Sequence, residues 1–204
     1  FGAILIEVNP QLMPNWQRTV KRVLDLSFSI IAIILLSPIF FILSILIKTG
    51  SKGPIIYKQE RIGFNGIPFF IYKFRSMYVD SELEGPQLSS KNDKRITNIG
   101  WIMRKSRLDE TPQFFNVIKG DMTIVGPRPE RQYYINKIIK VAPHYKHIKK
   151  VKPGITSWGQ VKYGYAENVT QMVARLKFDL LYVENMSLLL DFKILFYTII
   201  IMLK

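Results

Sequence analysis

Residues 26–47 read LSFSIIAIILLSPIFFILSILI, 22 residues without a charge. As a helix rising 1.5 Å per residue this run is roughly 33 Å long, enough to cross a bilayer core. Lys21, Arg22 and Asp25 precede it and Lys48 closes it. It is too long for a secretory leader, and no small-residue cleavage site follows. Its centre carries Ser37-Pro38. Proline has no N–H, so the carbonyl of Ile34 loses its helical partner and a bend is expected. In lipid the freed carbonyl needs another donor, and the Ser37 hydroxyl is the nearest candidate. Three readings follow: a re-entrant hairpin broken at Ser37-Pro38, a kinked spanning helix, or a core helix of a soluble protein. Basic residues at both ends fit a hairpin whose ends share one membrane face. Residues 1–20, with Pro10 and Pro14, read as a linker or the remnant of an upstream membrane region.

Outward from this run the chain is basic and apolar. Its 204 residues hold 29 Lys and Arg against 15 Asp and Glu, a net charge of +14, with 48% hydrophobic residues and no cysteine. A disulfide scaffold is excluded, and so is a disordered chain. The excess of positive charge calls for an anionic partner: phosphates, a membrane surface or nucleic acid. Residues 101–150 alone contribute 11 − 4 = +7. A second apolar run, Ile194–Leu203, is too short to span and reads as an interfacial helix end or as core.

The part after Gly53-Pro54 carries the chemistry. Residues 55–62 and 68–75 flank Phe64-Asn65-Gly66-Ile67, and Asn-Gly between apolar runs predicts a β-hairpin. Its second strand delivers Lys73 and Arg75, either to an anion or to solvent. Residues 78–98, with Gly85-Pro86 and Ser89-Ser90, read as a mobile loop. A helix is expected over 97–106. Another should start at Thr111-Pro112 and stop at Gly120. Asp109 and Glu110 therefore fall just before a helix start, where Ser106-Arg107-Leu108-Asp109 also fits a capping box. Capping explains one carboxylate, but not two adjacent ones among Arg104, Lys105 and Arg107. Pro127-Arg128-Pro129 fixes one guanidinium between two prolines, suited to phosphate or to a plain surface turn. Residues 131–152 interleave seven basic residues with tyrosines and isoleucines, a pattern suited to an anionic membrane surface, to nucleic acid, or to a merely solvated basic face. His144 and His147 lack a third ligand nearby, so no zinc site is assigned.

Taken in order, these residues resemble a known family. Ser37-Pro38, Tyr57-x-Gln59-x-Arg61-x-Gly63 and Lys73-Phe74-Arg75-Ser76-Met77 come first. Asp109-Glu110-x-Pro112-Gln113, Asn116-Val117 and Gly120-Asp121-Met122 follow. Val125-Gly126-Pro127-Arg128-Pro129-Glu130 and Lys152-Pro153-Gly154-Ile155-Thr156 complete the set. The set resembles the bacterial sugar transferases, monotopic phosphoglycosyl transferases that start exopolysaccharide and glycan assembly. The resemblance runs from Lys21 to the C-terminus and is closest to the larger members. Thr111, Ser157 and Gly159 depart from the family pattern without removing a chemical group from the site.

The resemblance implies an α+β fold, mostly helical with a small hairpin. Residues 21–48 would form a re-entrant hairpin broken at Ser37 and Pro38. Residues 49–204 would form a catalytic domain at the cytoplasmic face of the bacterial inner membrane. It implies transfer of a sugar 1-phosphate from a UDP-sugar to undecaprenyl phosphate, releasing UMP. Asp109 would be the nucleophile in a ping-pong scheme, and Glu110 would help bind Mg²⁺. Pro127, Arg128 and Pro129 would touch phosphate or nucleotide, with Lys73 and Arg75 as further binding candidates. Membrane lipid is an expected partner and nucleic acid is not. The rival reading is a non-enzymatic, membrane-anchored module for anionic lipid or nucleic acid. That rival leaves Asp109-Glu110 unexplained, since acids in a basic site weaken phosphate binding unless a metal intervenes.

Overall fold

Proline lies inside a helix here without ending it. Helix α1 (Asn15–Gly50) is 36 residues long in the computed structural model, which describes residues 12–81, 85–88 and 93–202. Ser37 Oγ donates to the Ile34 carbonyl at 2.8 Å, filling the bond that Pro38 leaves open. The helix starts at Asn15, within the stretch read as a linker. The linker reading of residues 1–11 lies outside the described residues, as do residues 82–84 and 89–92 of the expected loop. Between Leu26 and Ile42 only Ser29 is buried. This overturns the core-helix reading, because a core helix of this hydrophobicity would be covered by protein.

The expected hairpin forms. Strand β1 (Ile56–Ile62) pairs antiparallel with β2 (Pro68–Phe74), in register from Ile56↔Phe74 to Ile62↔Pro68. Asn65 and Gly66 both adopt positive φ, 55° and 78°, as their residue types favour. Helix α2 (Asn98–Lys105) begins where Thr97 Oγ1 accepts the Gly100 N–H. A single 3₁₀ turn (Leu108–Glu110) then leads to α3 (Gln113–Lys119), which Gly120 ends at φ 97°. The capping box does not form. Ser106 Oγ donates back to the Ile102 and Met103 carbonyls, closing α2 rather than opening the next helix.

Sequence patterning missed a second sheet. Strand β3 (Thr123–Val125) runs parallel to β4 (Gly154–Thr156), three residues each, too short for a periodic signal. It joins two of the family motifs directly. A Cβ on Gly154 would sit 2.1 Å from the Gly126 nitrogen, so this approach admits only glycine.

Helix α4 (Gln132–Val141) and a 3₁₀ segment (Pro143–Lys150) follow, then α5 (Trp158–Lys162), α6 (Val169–Glu184) and α7 (Leu188–Met202). The apolar stripe of the basic region is core: Tyr134, Ile135, Ile138, Tyr145 and Ile148 are buried together with Met172, Leu176 and Val183 of α6. Helix α7 is longer than the run at 194–203 suggested. Asp191 and Ile194 are buried, while Leu189, Phe192, Phe196 and Ile199 face outward. A smaller cluster of Leu43, Ile47, Phe74 and Met103 joins the end of α1 to β2 and α2.

Candidate functional site

Two elements aim cations at the 3₁₀ turn that carries Asp109 and Glu110. Strand β2 brings Lys73, and its place is fixed by Asn116 of α3. That amide donates to the Phe70 carbonyl at 2.7 Å and accepts from the Tyr72 N–H at 3.0 Å. The turn after β3 brings Arg128. Its flanking prolines are buried, Gly154 N–H donates to the Pro127 carbonyl at 2.9 Å, and Arg61 donates to the Pro129 carbonyl at 3.1 Å. Behind it, Glu130 bridges Arg61 and Arg175. The turn is thus held from both sides, and one guanidinium projects from it.

The two carboxylates, each 8% exposed, are treated differently. Glu110 Oε1 accepts from Lys73 Nζ at 2.6 Å and from Arg128 Nη2 at 3.0 Å, while Arg107 Nη1 stands 3.9 Å from Oε2. Burial alone would raise the Glu110 pKa. Lys73 and then Arg128 outweigh it and hold the carboxyl well below its usual range. Asp109 has no hydrogen-bond partner among the described residues. Burial, and next the Glu110 charge, raise its pKa above the usual carboxylate value; Lys73, Arg104 and Arg107 act against them. A more basic carboxylate without a hydrogen bond is a stronger nucleophile, while its neighbour is a fixed anion that holds the cations in place.

Arg75 does not join this group. Its guanidinium is buried at the end of α1 and donates to the carbonyls of Ile47, Ser51 and Lys52. The Ile47 carbonyl belongs to the last turn of α1 and also accepts the Ser51 N–H, while Ser51 and Lys52 lie just past the helix, so one buried cation gathers the carbonyls where α1 ends. Ser37 and Pro38 lie in the exposed middle of α1.

For a divalent ion the donors are two carboxylates. Among the described residues no third acid or histidine gathers with them. Among the described residues Glu110 Oε2 and both Asp109 oxygens have no hydrogen-bond partner. Mg²⁺ keeps several waters and is usually held by one or two carboxylates plus substrate phosphates, so this pair fits an ion carried with a diphosphate.

Sequence reasoning passed over two residues here. Arg107 adopts the left-handed conformation, φ 59°, unusual for a residue with a Cβ, directly before the dyad. Its guanidinium donates to the hydroxyl of Tyr165 and lies 4.5 Å from the centre of that ring. Tyr165 is 58 residues away, and its only local signal is the adjacent turn glycine, Gly164 at φ 92°.

The profile of the bacterial sugar transferase family matches residues 16–204. The chain belongs to that family. This sugar transferase is 43% identical over 180 residues to a UDP-N-acetylgalactosamine-undecaprenyl-phosphate N-acetylgalactosaminephosphotransferase of Aeromonas hydrophila, covering 88% of the chain and 43% of that protein. It is 40% identical over 181 residues to a UDP-glucose:undecaprenyl-phosphate glucose-1-phosphate transferase of Klebsiella pneumoniae, covering 88% of the chain and 39% of that protein. An exopolysaccharide production protein of Rhizobium leguminosarum is 36% identical over 190 residues, covering 88% of the chain and 93% of that protein. The chain spans about two fifths of the length of the first two relatives.

Proposed function

We propose that this sugar transferase moves a sugar 1-phosphate from a UDP-sugar to undecaprenyl phosphate through a covalent intermediate on Asp109. The Asp109 carboxylate attacks the sugar-bearing phosphorus. The bond from that phosphorus to the bridging oxygen breaks, and UMP leaves. A phosphate oxygen of the lipid then attacks the same phosphorus and displaces the Asp109 carboxylate, leaving a polyprenyl diphosphate sugar. The named relatives act with N-acetylgalactosamine or with glucose, so the donor is given as the UDP-sugar class.

The observation that carries this reading is the asymmetry of the dyad. A carboxylate ionised at neutral pH needs no general base. Its obstacle is repulsion from a diphosphate, which Lys73, Arg107 and Arg128 offset in a poorly solvated setting. Glu110 keeps Lys73 and Arg128 off Asp109, which would lose nucleophilicity in a tight ion pair. Glu110 is the residue that would hold Mg²⁺, and when bound the ion would neutralise phosphate charge and stabilise the leaving group. The decisive experiment is Asp109→Asn, assayed for UMP release and for covalent labelling by a sugar-labelled donor. Both should vanish; wild-type turnover in the variant refutes the covalent scheme.

The same reading places α1 in the membrane as a re-entrant helix, with the catalytic domain on the cytoplasmic face. Near one end of α1, Lys21 donates to the Val125 carbonyl, Arg22 to the Val117 carbonyl, and Asp25 accepts from Thr123. Near the other, Ile47 packs on Phe74 and Met103. Both ends are held by one domain, whereas a spanning helix parts its ends by a hydrocarbon core about 30 Å thick. The chain has no cysteine, so single cysteines report without background. Arg18→Cys and Thr49→Cys should label from the same side of sealed vesicles; labelling from opposite sides refutes re-entrance.

A further inference from the structure

Four cations surround the dyad: Lys73, Arg104, Arg107 and Arg128, against two carboxylates, a local balance of 4 − 2 = +2. Three have protein partners that fix them. Lys73 and Arg128 hydrogen-bond Glu110, and Arg104 donates to Ser76 Oγ at 2.9 Å. Arg107 differs. It stands 3.9 Å from Glu110 Oε2, beyond hydrogen-bond reach, and its side chain is 31% exposed. A guanidinium has five N–H donors in a planar fork. Here one nitrogen donates to the Tyr165 hydroxyl, and the plane rests near the Tyr165 ring.

Tyr165 is 60% exposed and reaches Arg107 from the connection between α5 and α6, beside a glycine in the left-handed region. Its hydroxyl lies in the field of Glu110, Arg128, Arg107 and Asp109 together. A non-glycine residue in the left-handed region is strained. Strain of this kind, placed directly before a reactive pair, points to a geometric demand. That demand is met if the Arg107 side chain must stay near Glu110 Oε2 without closing onto it. An arginine that closed to hydrogen-bond distance would turn this loose 3.9 Å ion pair into a tight one and leave less of the cation for a ligand.

We propose that Arg107 binds the diphosphate of the nucleotide donor and that Tyr165 positions it, the two forming a clasp on the Oε2 side of Glu110. The proposal rests on the donor reading above, gives Arg107 a direct contact within it, and adds Tyr165 to it. Stacking keeps the guanidinium flat, and the hydroxyl takes one donor. The remaining N–H groups can meet two phosphate oxygens as a fork. Lys73 and Arg128 then serve chiefly to hold Glu110, and Arg107 is the cation that a donor recruits.

The test is a double-mutant cycle on the full chain in lipid nanodiscs, with UDP and Mg²⁺ as the titrated probe. Tyr165→Ala removes ring and hydroxyl from an exposed position. Arg107→Asn removes the cation but keeps a residue type at ease in the left-handed region. Each should weaken UDP binding about tenfold or more, as expected for a lost charge-assisted pair. The double variant should bind no more weakly than Arg107→Asn alone, because Tyr165 acts through Arg107. Tyr165→Phe, which keeps the stacking, should fall between wild type and Tyr165→Ala. In UMP release the donor KM should rise while the lipid-phosphate KM stays put. Single variants within about twofold of wild type, or losses that multiply in the double variant, overturn the clasp. A wild-type chain that neither binds UDP nor releases UMP overturns the donor reading together with the clasp. Wild-type binding and release with unaffected variants overturns the clasp alone.

Discussion

Lys73→Met tests the idea that Glu110 exists to hold cations. The ammonium stands 2.6 Å from Glu110 Oε1, with the two side chains 17% and 10% exposed. At an effective dielectric of about 20 the gross attraction is on the order of 6 kcal/mol. Desolvation costs several kcal/mol per ion and cancels most of it, so the intact pair contributes little net stability. Breaking it is different, because one buried charge is stranded, typically at a cost of about 3–5 kcal/mol. Arg128 still stands 3.0 Å from the same oxygen and shares the burden, which favours the lower end, about 3 kcal/mol. For a chain of this size that is a fall in thermal midpoint of about 6–12 °C.

The assay is thermal unfolding in detergent for wild type, Lys73→Met, Glu110→Gln and the double variant. If the charges are a unit, Lys73→Met/Glu110→Gln recovers most of the loss, since no stranded anion remains. The acid limb gives an independent reading. Glu110 has a lowered pKa when folded, so its stability contribution is present above the unfolded value near 4.5 and is lost as pH falls through the folded one. Lys73→Met raises the folded value toward the unfolded one, so the acid loss that begins near 4.5 should be smaller and should end at a higher pH. A midpoint that falls by under about 2 °C, or single-variant losses that simply add, would refute the reasoning.

Two further predictions concern the scaffold. Burial raises the Asp179 pKa to about 6. The folded chain therefore keeps that proton longer than the unfolded one, and this contribution is present below about pH 4 and lost as pH rises through about 6, roughly 3 kcal/mol in all. Asp179→Asn, still able to accept from the Gly159 N–H, should lose less stability than wild type between pH 4 and 6; parallel midpoint curves would count against it. Gly154→Ala would put a methyl 2.1 Å from the Gly126 nitrogen, a backbone atom that cannot swing aside. Its midpoint and UMP release should fall together, and a variant retaining both would show that the β3–β4 approach is looser than drawn.

How much of this was legible in the sequence depends on how local each signal was. The Asn65-Gly66 hairpin and the Gly120 stop are set by one or two residues, and each is where the sequence puts it; Thr111, expected to cap the helix after the dyad, does not, since its hydroxyl donates back to the Leu108 carbonyl at 2.7 Å and α3 starts at Gln113. The dyad and Arg128 were visible because motif order marks them, although no spacing rule shows that β2 and the β3 turn converge on Glu110. Arg75 shows the opposite. Two residues beyond Lys73 it has the same charge, yet its guanidinium ends among the carbonyls of Ile47, Ser51 and Lys52, at and just past the end of α1. Which helix end lies under a strand is a tertiary fact. Tyr165 was invisible for the same reason, being brought to Arg107 across 58 residues by the α5–α6 connection. In the lysine-rich stretch the apolar stripe is buried against α6 while Lys137, Lys146 and Lys150 face outward, which fits the solvated basic face among its readings.

The flanking charges of α1 change meaning in the same way. Read from sequence, Lys21 and Arg22 are interfacial cations. In the fold Lys21 pairs with Asp191 at 2.6 Å, and Arg22 caps the end of α3 through the Val117 and Ile118 carbonyls. Asp25, the acid next to the apolar run, accepts from Thr123 and from the Ile124 N–H. These three residues lock α1 onto β3, α3 and α7, and β3 leads directly into the turn that carries Arg128. The apolar run therefore starts where the scaffold of the dyad begins. Phe28 of α1 packs against Phe114, in the first turn of the helix after Glu110, with ring centres 6.0 Å apart. An anchor joined this rigidly sets the depth of the site relative to the lipid surface. Under the proposed function that depth matters, because the Asp109 carboxylate would meet a phosphate on a lipid and a nucleotide from water.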